Sequence, residues 1–142
     1  MKYPRLPFLV IGVLVCLFQL GDAVLAKDSY VITVQQLKAG LEKAVTPKAK
    51  GFFLIDVRSP QEHVTGVIPG TDLNIEFTQM KARHREIGAG LDDHIVVYCQ
   101  SGHRSNIAAE TLAGLGYTRV YNVEGSMSAW VEAGYPVAQA RR

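Results

Sequence analysis

The apolar residues of this chain fall into two kinds of block: short continuous runs, and longer stretches in which they recur at helical spacing. The first helical stretch follows Thr33, which forms a capping-box pattern with Gln36. The spacing predicts a helix over residues 34–45. Pro47 is expected to stop this helix, because proline cannot continue a helical hydrogen-bond ladder.

Continuous apolar runs predict strands that are buried on both faces, as in a parallel sheet. FFLIDV at residues 52–57 and IVVY at residues 95–98 have this pattern, and a third strand is expected over residues 118–123. A turn is expected at Ser59-Pro60, and another short stretch around residues 73–75 follows a Pro-Gly turn.

Helical patterns lie between the predicted strands. Residues 76–87 are mostly helix formers, and residues 127–133 form a last short helix. A further helix ends at Gly116, which is a suitable C-cap. Its apolar face consists of Ile107, Ala108, Leu112 and Leu115. Strands that alternate with helices predict an α/β fold, namely one domain whose mainly parallel central sheet is flanked by helices.

Residues 1–26 have the layout of a secretory signal peptide. Lys2 and Arg5 precede an almost wholly apolar run over residues 6–20, and V-L-A ends at Ala26. The run is shorter than the ~20 residues that a spanning helix needs. Cleavage after Ala26 is therefore expected, and it would place the protein in the periplasm or make it otherwise secreted. An uncleaved membrane anchor is the alternative.

Composition and charge narrow the classes of function. The chain has 142 residues, of which 48% are hydrophobic, so it is the size of one folded domain. A formal net charge of +2 provides no basic stripe for nucleic acid. Removal of the signal peptide would leave a domain over residues 27–142, which is expected to have no stable membrane span. Cys16 would be lost with the signal peptide, so Cys99 would be the single cysteine of the mature chain. Such a cysteine is either a reactive thiol or a buried inert one.

The segment CQSGHR at residues 99–104 joins the predicted strand 95–98 to the next helix. Ligands of such sheets bind beyond the carboxyl ends of the strands, which is where Cys99 is expected. Gly102 lets the backbone curl, so that successive N–H groups can form an anion-binding nest. Arg104 and the helix N-terminus favour a thiolate. The alternative is an ordinary strand-to-helix turn that contains a cysteine.

Three segments, in this order, resemble the signatures of the rhodanese family. The first is LIDVRSPQEHVTGVIPG, the second is VVYCQSGHRS, and the third is YNVEGSMSAWVEAGYPV. The second has the apolar strand and the Cys-x-x-Gly-x-Arg pattern of the family's active-site loop. The resemblance covers residues 33–137, which is nearly all of the expected mature chain, and it implies a single rhodanese-like domain.

The resemblance implies a sulfurtransferase that carries sulfur as a persulfide on Cys99, with neither a metal nor an organic cofactor. The substrate-binding loop would consist of Gln100, Ser101, Gly102, His103 and Arg104. Arg104 is expected to favour a small anionic donor such as thiosulfate. The acceptor would be a thiol, or cyanide in vitro, and a sulfur-accepting protein would also fit.

Other residues of the signatures are expected to support the site. Asp56, Arg58 and Glu62 match the first signature, where an acidic residue at a strand end and an Arg–Glu pair typically brace a loop. We therefore interpret them as braces rather than as catalytic groups. Trp130, in the third signature, is expected to pack in the core.

The chain departs from the family pattern at three places. Val67 stands where many members have His, and Gly125-Ser126 stands where the family often has Gly-Gly. These two changes are expected to affect packing only. Gln100 occupies a position that is often Arg, which removes one possible positive charge from the loop. His103 would partly replace that charge if it were protonated.

Three competing functions share this fold. Phosphatases with a rhodanese-like fold have a longer loop, with five residues between Cys and Arg. In this chain four residues separate Cys99 from Arg104. A non-catalytic binding module usually lacks the cysteine, which this chain keeps. A redox sensor would oxidise Cys99, but the expected mature chain has no second cysteine to form a disulfide.

Overall fold

The computed structural model describes residues 30–44, 46 and 49–141. Five strands of this part of the chain form one sheet in which every neighbouring pair is parallel, with the order β1-β5-β4-β2-β3. The strands are β1 (Tyr30–Ile32), β2 (Phe53–Asp56), β3 (Leu73–Asn74), β4 (His94–Tyr98) and β5 (Arg119–Val123). The predicted α/β domain with a parallel central sheet is confirmed.

Helices cover both faces of the sheet. They are α1 (Val34–Glu42), α2 (Pro60–His63), α3 (Met80–Arg83), α4 (His103–Gly114) and α5 (Ser126–Glu132). One apolar core contains residues of α3 and α4, and the other contains residues of α1 and α5.

The central strand β4 supplies both cores. Ile95 and Val97 belong to the core beneath α3 and α4, while Val96 and Tyr98 belong to the core beneath α1 and α5. Each fully buried side chain of this size contributes about 1.5–3 kcal/mol to the hydrophobic stabilisation. Burial on both faces is the physical reason for the unbroken apolar run in the sequence.

Helix α1 begins as the sequence predicts. The side chain of Thr33 accepts a hydrogen bond from the backbone of Gln36, and the Gln36 side chain accepts one from the backbone of Thr33. The helix ends at Glu42, before the predicted end at residue 45. It ends there because the Ala44 N–H bonds to the carbonyl of Leu41, three residues back, and so leaves the α-helical ladder.

Residues 76–87 do not form the single helix that their composition suggests. Two 3-10 turns, Phe77–Gln79 and His84–Ile87, flank the four-residue α3. The segment has no side-chain N-cap, and Gly88 ends it with a φ of 72°. Met80 and Ile87 of this segment are nevertheless buried in the core beneath α3 and α4.

Two elements were absent from the sequence prediction. β1 is a three-residue edge strand along β5, too short to show a pattern. α2 begins where only a turn was expected: Ser59 and Glu62 form a capping box, and Pro60 occupies its first turn.

Residues 1–29, 45, 47, 48 and 142 lie outside the described residues, and the predicted signal peptide and the expected helix stop at Pro47 lie among them. None of the helices in the described part of the chain has both the length and the hydrophobicity that a membrane crossing requires.

Candidate active site

Cys99 lies directly after β4, at the carboxyl edge of the sheet. β4 is the middle strand, with β5 on one side and β2 on the other. Helix α4 begins at His103, so the chain turns from strand to helix within residues 99–102. Cys99 is fully buried, with 0% of its surface exposed. The position matches the one that the sequence predicts for this residue.

The sulfur of Cys99 is surrounded by hydrogen-bond donors. The Gly102 N–H lies 3.0 Å from Sγ, and the Ser105 hydroxyl lies 3.3 Å from it. Burial raises the pKa of the Cys99 thiol, but hydrogen bonds from Ser105, Gly102 and Ser101 outweigh burial, so the pKa lies below its ordinary value. The surroundings of the sulfur therefore favour an anion.

Gly102 makes this arrangement possible through its backbone conformation. Its φ of 104° is in the left-handed region that favours glycine. A Cβ at Gly102 would also lie 3.4 Å from the backbone nitrogen of Gly125. The loop and the start of α5 thus approach each other closely, backbone against backbone.

The first turn of α5 holds the backbone of the loop. The Met127 N–H donates to the carbonyl of Cys99 at 3.1 Å, and the Ser128 N–H donates to the carbonyl of Gln100 at 2.9 Å. The Gln100 side chain donates to the Ser128 hydroxyl at 3.1 Å. The third signature therefore fixes the loop in place.

The predicted loop residues are brought together, but their side chains do different things. Ser101 and Gly102 direct backbone N–H groups at the sulfur. The Gln100 side chain points to α5 rather than to Cys99, and the His103 side chain is exposed. The structure assigns no substrate role to any of them, so their roles stay predictions.

Arg104 is paired with an acidic residue of the first signature. Its two terminal nitrogens donate to the two carboxylate oxygens of Glu62, each at 2.8 Å. These bonds lower the pKa of Glu62 to about 2, against partial burial, and Ser59 adds further hydrogen bonds. The pKa of Arg104 is raised mainly by the same pairing, with a smaller contribution from the charge of the Cys99 thiolate.

A second, buried charge pair lies at the end of β2. The Arg58 guanidinium donates to both oxygens of Asp56, at 3.0 and 2.8 Å, and to the carbonyl of Gly66 at 2.7 Å. His63 also lies 2.9 Å from the Asp56 carboxylate. These contacts join β2, α2 and the following turn, as expected of a brace.

Two serines of the site had no functional role in the sequence interpretation. Ser105 directly follows the Cys-x-x-Gly-x-Arg pattern and lies in the first turn of α4. Ser126, which was expected to affect packing only, also accepts a hydrogen bond from the Cys99 N–H at 3.1 Å through its hydroxyl. In the sequence, the one sign of this contact is that Ser126 stands where the family often has the second glycine of Gly-Gly.

Metal ligands do not cluster in the part of the chain that the structure describes: no three of its His, Cys, Asp and Glu residues are grouped so that they could hold an ion.

Known proteins resemble this chain in sequence and in fold. The model of the Rhodanese-like domain family matches residues 33–133. A protein named sulfurtransferase from Allochromatium vinosum is 38% identical over 60% of this chain and 77% of its own length. The thiosulfate sulfurtransferase GlpE of Pseudomonas entomophila is 33% identical over 63% of this chain and 79% of its own length. The crystal structure of a rhodanese-related protein from Thermoplasma volcanium superposes with a TM-score of 0.61 and 30% identity, covering 77% of this chain and 97% of that one.

Proposed function

The chain belongs to the rhodanese-like domain family, and we propose that it is a sulfurtransferase that moves sulfane sulfur through a persulfide on Cys99. One observation carries the proposal: the sulfur of Cys99 lies within hydrogen-bond distance of the Gly102 N–H and the Ser105 hydroxyl. Donors in this arrangement stabilise a thiolate before the reaction and a persulfide anion after it. The names of the two relatives support the same class of reaction.

The proposed donor is thiosulfate or a related sulfane. The Cys99 thiolate attacks the outer sulfur of thiosulfate, a new S–S bond forms, and the old S–S bond breaks. Sulfite leaves with the electron pair of the broken bond. The product is a Cys99 persulfide whose negative charge lies on the outer sulfur.

The second half of the reaction passes that sulfur to an acceptor. A thiolate, or cyanide in vitro, attacks the outer sulfur, and the Cys99 thiolate leaves with the bonding electrons. The hydrogen bonds from Gly102 and Ser105 stabilise this leaving thiolate, as they stabilised the nucleophile. A partner protein with an exposed thiol would serve as an acceptor in the same way.

Arg104 is the cationic group that we assign to the donor. It lies in the first turn of α4 and interacts with the charge of Cys99. Two of the five N–H donors of its guanidinium bind Glu62, which leaves others for an anion. Glu62 would orient the guanidinium while the anionic donor approaches.

We also propose that the protein is exported and that residues 1–26 are removed. The positive start, the short apolar run and the V-L-A ending support this proposal. N-terminal sequencing of the exported protein should begin at Lys27, and an intact Met1 in a membrane fraction would contradict cleavage.

Mass spectrometry of the protein after exposure to thiosulfate tests the central proposal. We expect a gain of one sulfur atom on the peptide that contains Cys99. Cys99→Ser should abolish thiocyanate production from thiosulfate and cyanide while leaving the circular dichroism spectrum unchanged. Wild-type turnover in that variant, or no persulfide with any sulfane donor, would overturn the proposal.

A further inference from the structure

We propose that Ser126 is a positioning residue of the sulfur site, whose hydroxyl anchors the backbone N–H of Cys99 and so holds the sulfur against its donors. The catalytic consequence rests on the proposed function, but the anchoring does not. The hydroxyl of Ser126 bonds to the backbone N–H of Cys99, so it acts through that residue.

The backbone of Ser126 is the first sign of such a role. Its φ is 46°, and among the described residues it is the one with a positive φ that is not a glycine. A residue with a Cβ is disfavoured there, and glycine would avoid the cost. Strain of this kind persists only where the surrounding structure enforces it, and it clusters at functional sites.

The contacts of the hydroxyl show what that contribution is. Ser126 is fully buried, and its Oγ donates to the carbonyl of Val123 at 2.9 Å. Because its one proton is used there, the oxygen acts as an acceptor for the Cys99 N–H at 3.1 Å. Its orientation is thus fixed by β5, and that orientation fixes the start of the loop.

The anchored N–H belongs to the same residue as the nucleophile. With the Cys99 carbonyl bound to the Met127 N–H, both backbone polar groups of Cys99 are held by α5. The Ser126 oxygen also lies 3.4 Å from the Ser105 hydroxyl, the side-chain donor to the sulfur. Loss of the Ser126 hydroxyl would leave a buried N–H without its acceptor and loosen the placement of the sulfur.

The charged groups described for the site belong to elements other than α5. Arg104 of α4 interacts with the thiolate and is paired with Glu62 of α2. Asp56 and Arg58, at the end of β2, are paired with each other. Substitution of Ser126 therefore changes the hydrogen bonding around Cys99 without removing a charge.

The test is the pH dependence of alkylation of Cys99 by iodoacetamide in the purified protein. Ser126→Gly removes the hydroxyl and relieves the backbone strain, while Ser126→Ala removes the hydroxyl and keeps the strain. We expect both variants to move the midpoint of alkylation upward by about half a pH unit or more, because the sulfur loses well-placed donors. Thr111→Ala, which removes an exposed hydroxyl of α4, is the matched control and should leave the midpoint unchanged.

A purely structural role predicts a different result. If the Ser126 side chain only filled space in the core, Ser126→Gly would have the same pH midpoint of alkylation as the wild type. This result would overturn the proposal. Sulfur transfer provides a second measurement: the rate loss in Ser126→Gly should shrink as the pH rises past both midpoints. If the midpoint shifts while the wild type forms no persulfide with any sulfane donor, the proposed function fails and the anchoring role stands.

Discussion

Glu62 on α2 and Arg104 on α4 form a bidentate ion pair, in which each carboxylate oxygen accepts a hydrogen bond of 2.8 Å. The pair joins two segments that are 42 residues apart in the chain. It therefore links the first signature directly to the loop that contains Cys99.

Glu62→Gln should reduce stability in a pH-dependent way. The folded-state pKa of Glu62 is about 2, below the unfolded value of about 4.3, so its contribution is complete above that unfolded value and is lost as the pH falls toward 2. Because the pair is partly exposed to solvent, we expect a difference of about 1 kcal/mol at pH 7. Urea unfolding from pH 7 to pH 2 would measure it, and a difference independent of pH would contradict this account.

Arg104→Ala should raise the KM for thiosulfate by about tenfold, the loss expected for one charged hydrogen bond to the donor. Arg104→Lys should recover part of the affinity, since the charge remains but the forked geometry does not. Steady-state kinetics would measure both variants. Glu62→Gln is the control, because it breaks the same ion pair and keeps the guanidinium. Glu62→Gln should raise the KM less than Arg104→Ala does, and a wild-type KM in Arg104→Ala would contradict the assignment of Arg104 to the donor.

Asp56→Asn should destabilise the fold strongly. Asp56 and Arg58 are both buried, and the substitution leaves the Arg58 charge without its carboxylate. The expected loss in the free energy of unfolding is about 3–5 kcal/mol. Glu86→Gln, which breaks the exposed pair with Arg83, should cost less than about 1 kcal/mol. Similar losses for the two variants in urea unfolding would be inconsistent with the bracing role.

Gly125→Ala should cost more than Gly134→Ala, although both glycines have a similar positive φ, of 67° and 75°. Left-handed strain of about 1–2 kcal/mol is common to both substitutions. At Gly125 the new Cβ would lie 2.6 Å from the Cβ of Ala129, whereas nothing lies within 4 Å at Gly134. Thermal unfolding should therefore show the lower Tm for Gly125→Ala, and equal Tm values would refute the steric argument.

The sequence was sufficient for the elements that are buried on both faces. The runs that became β2 and β4 have a continuous apolar pattern because each strand contacts two cores. The end of β4 then located Cys99, since ligands of parallel sheets bind at that edge. β1 and α2 were missed because three or four residues are too few to show a period.

The partners of the site residues could not be read from the sequence. Glu62 and Arg104 meet only because the sheet order places the ends of β2 and β4 side by side. The hydroxyl of Ser126 reaches Cys99 across 27 residues of sequence, which no local pattern encodes. Spacing predicts elements, whereas the contacts between their ends depend on topology.

The attachment of Cys99 to α5 also sets the order in which the thiol becomes reactive. Its hydrogen-bonding partners, from Ser101 to Met127, all follow it in the chain. During synthesis the cysteine therefore emerges before the groups that lower its pKa, and in the unfolded chain its pKa stays near the free value of about 8.5. The donors to the sulfur lie in the loop and in the first turn of α4, and the backbone of that loop is held by α5. The low pKa of the Cys99 thiol is therefore expected only once α5 has been made and has packed against the loop.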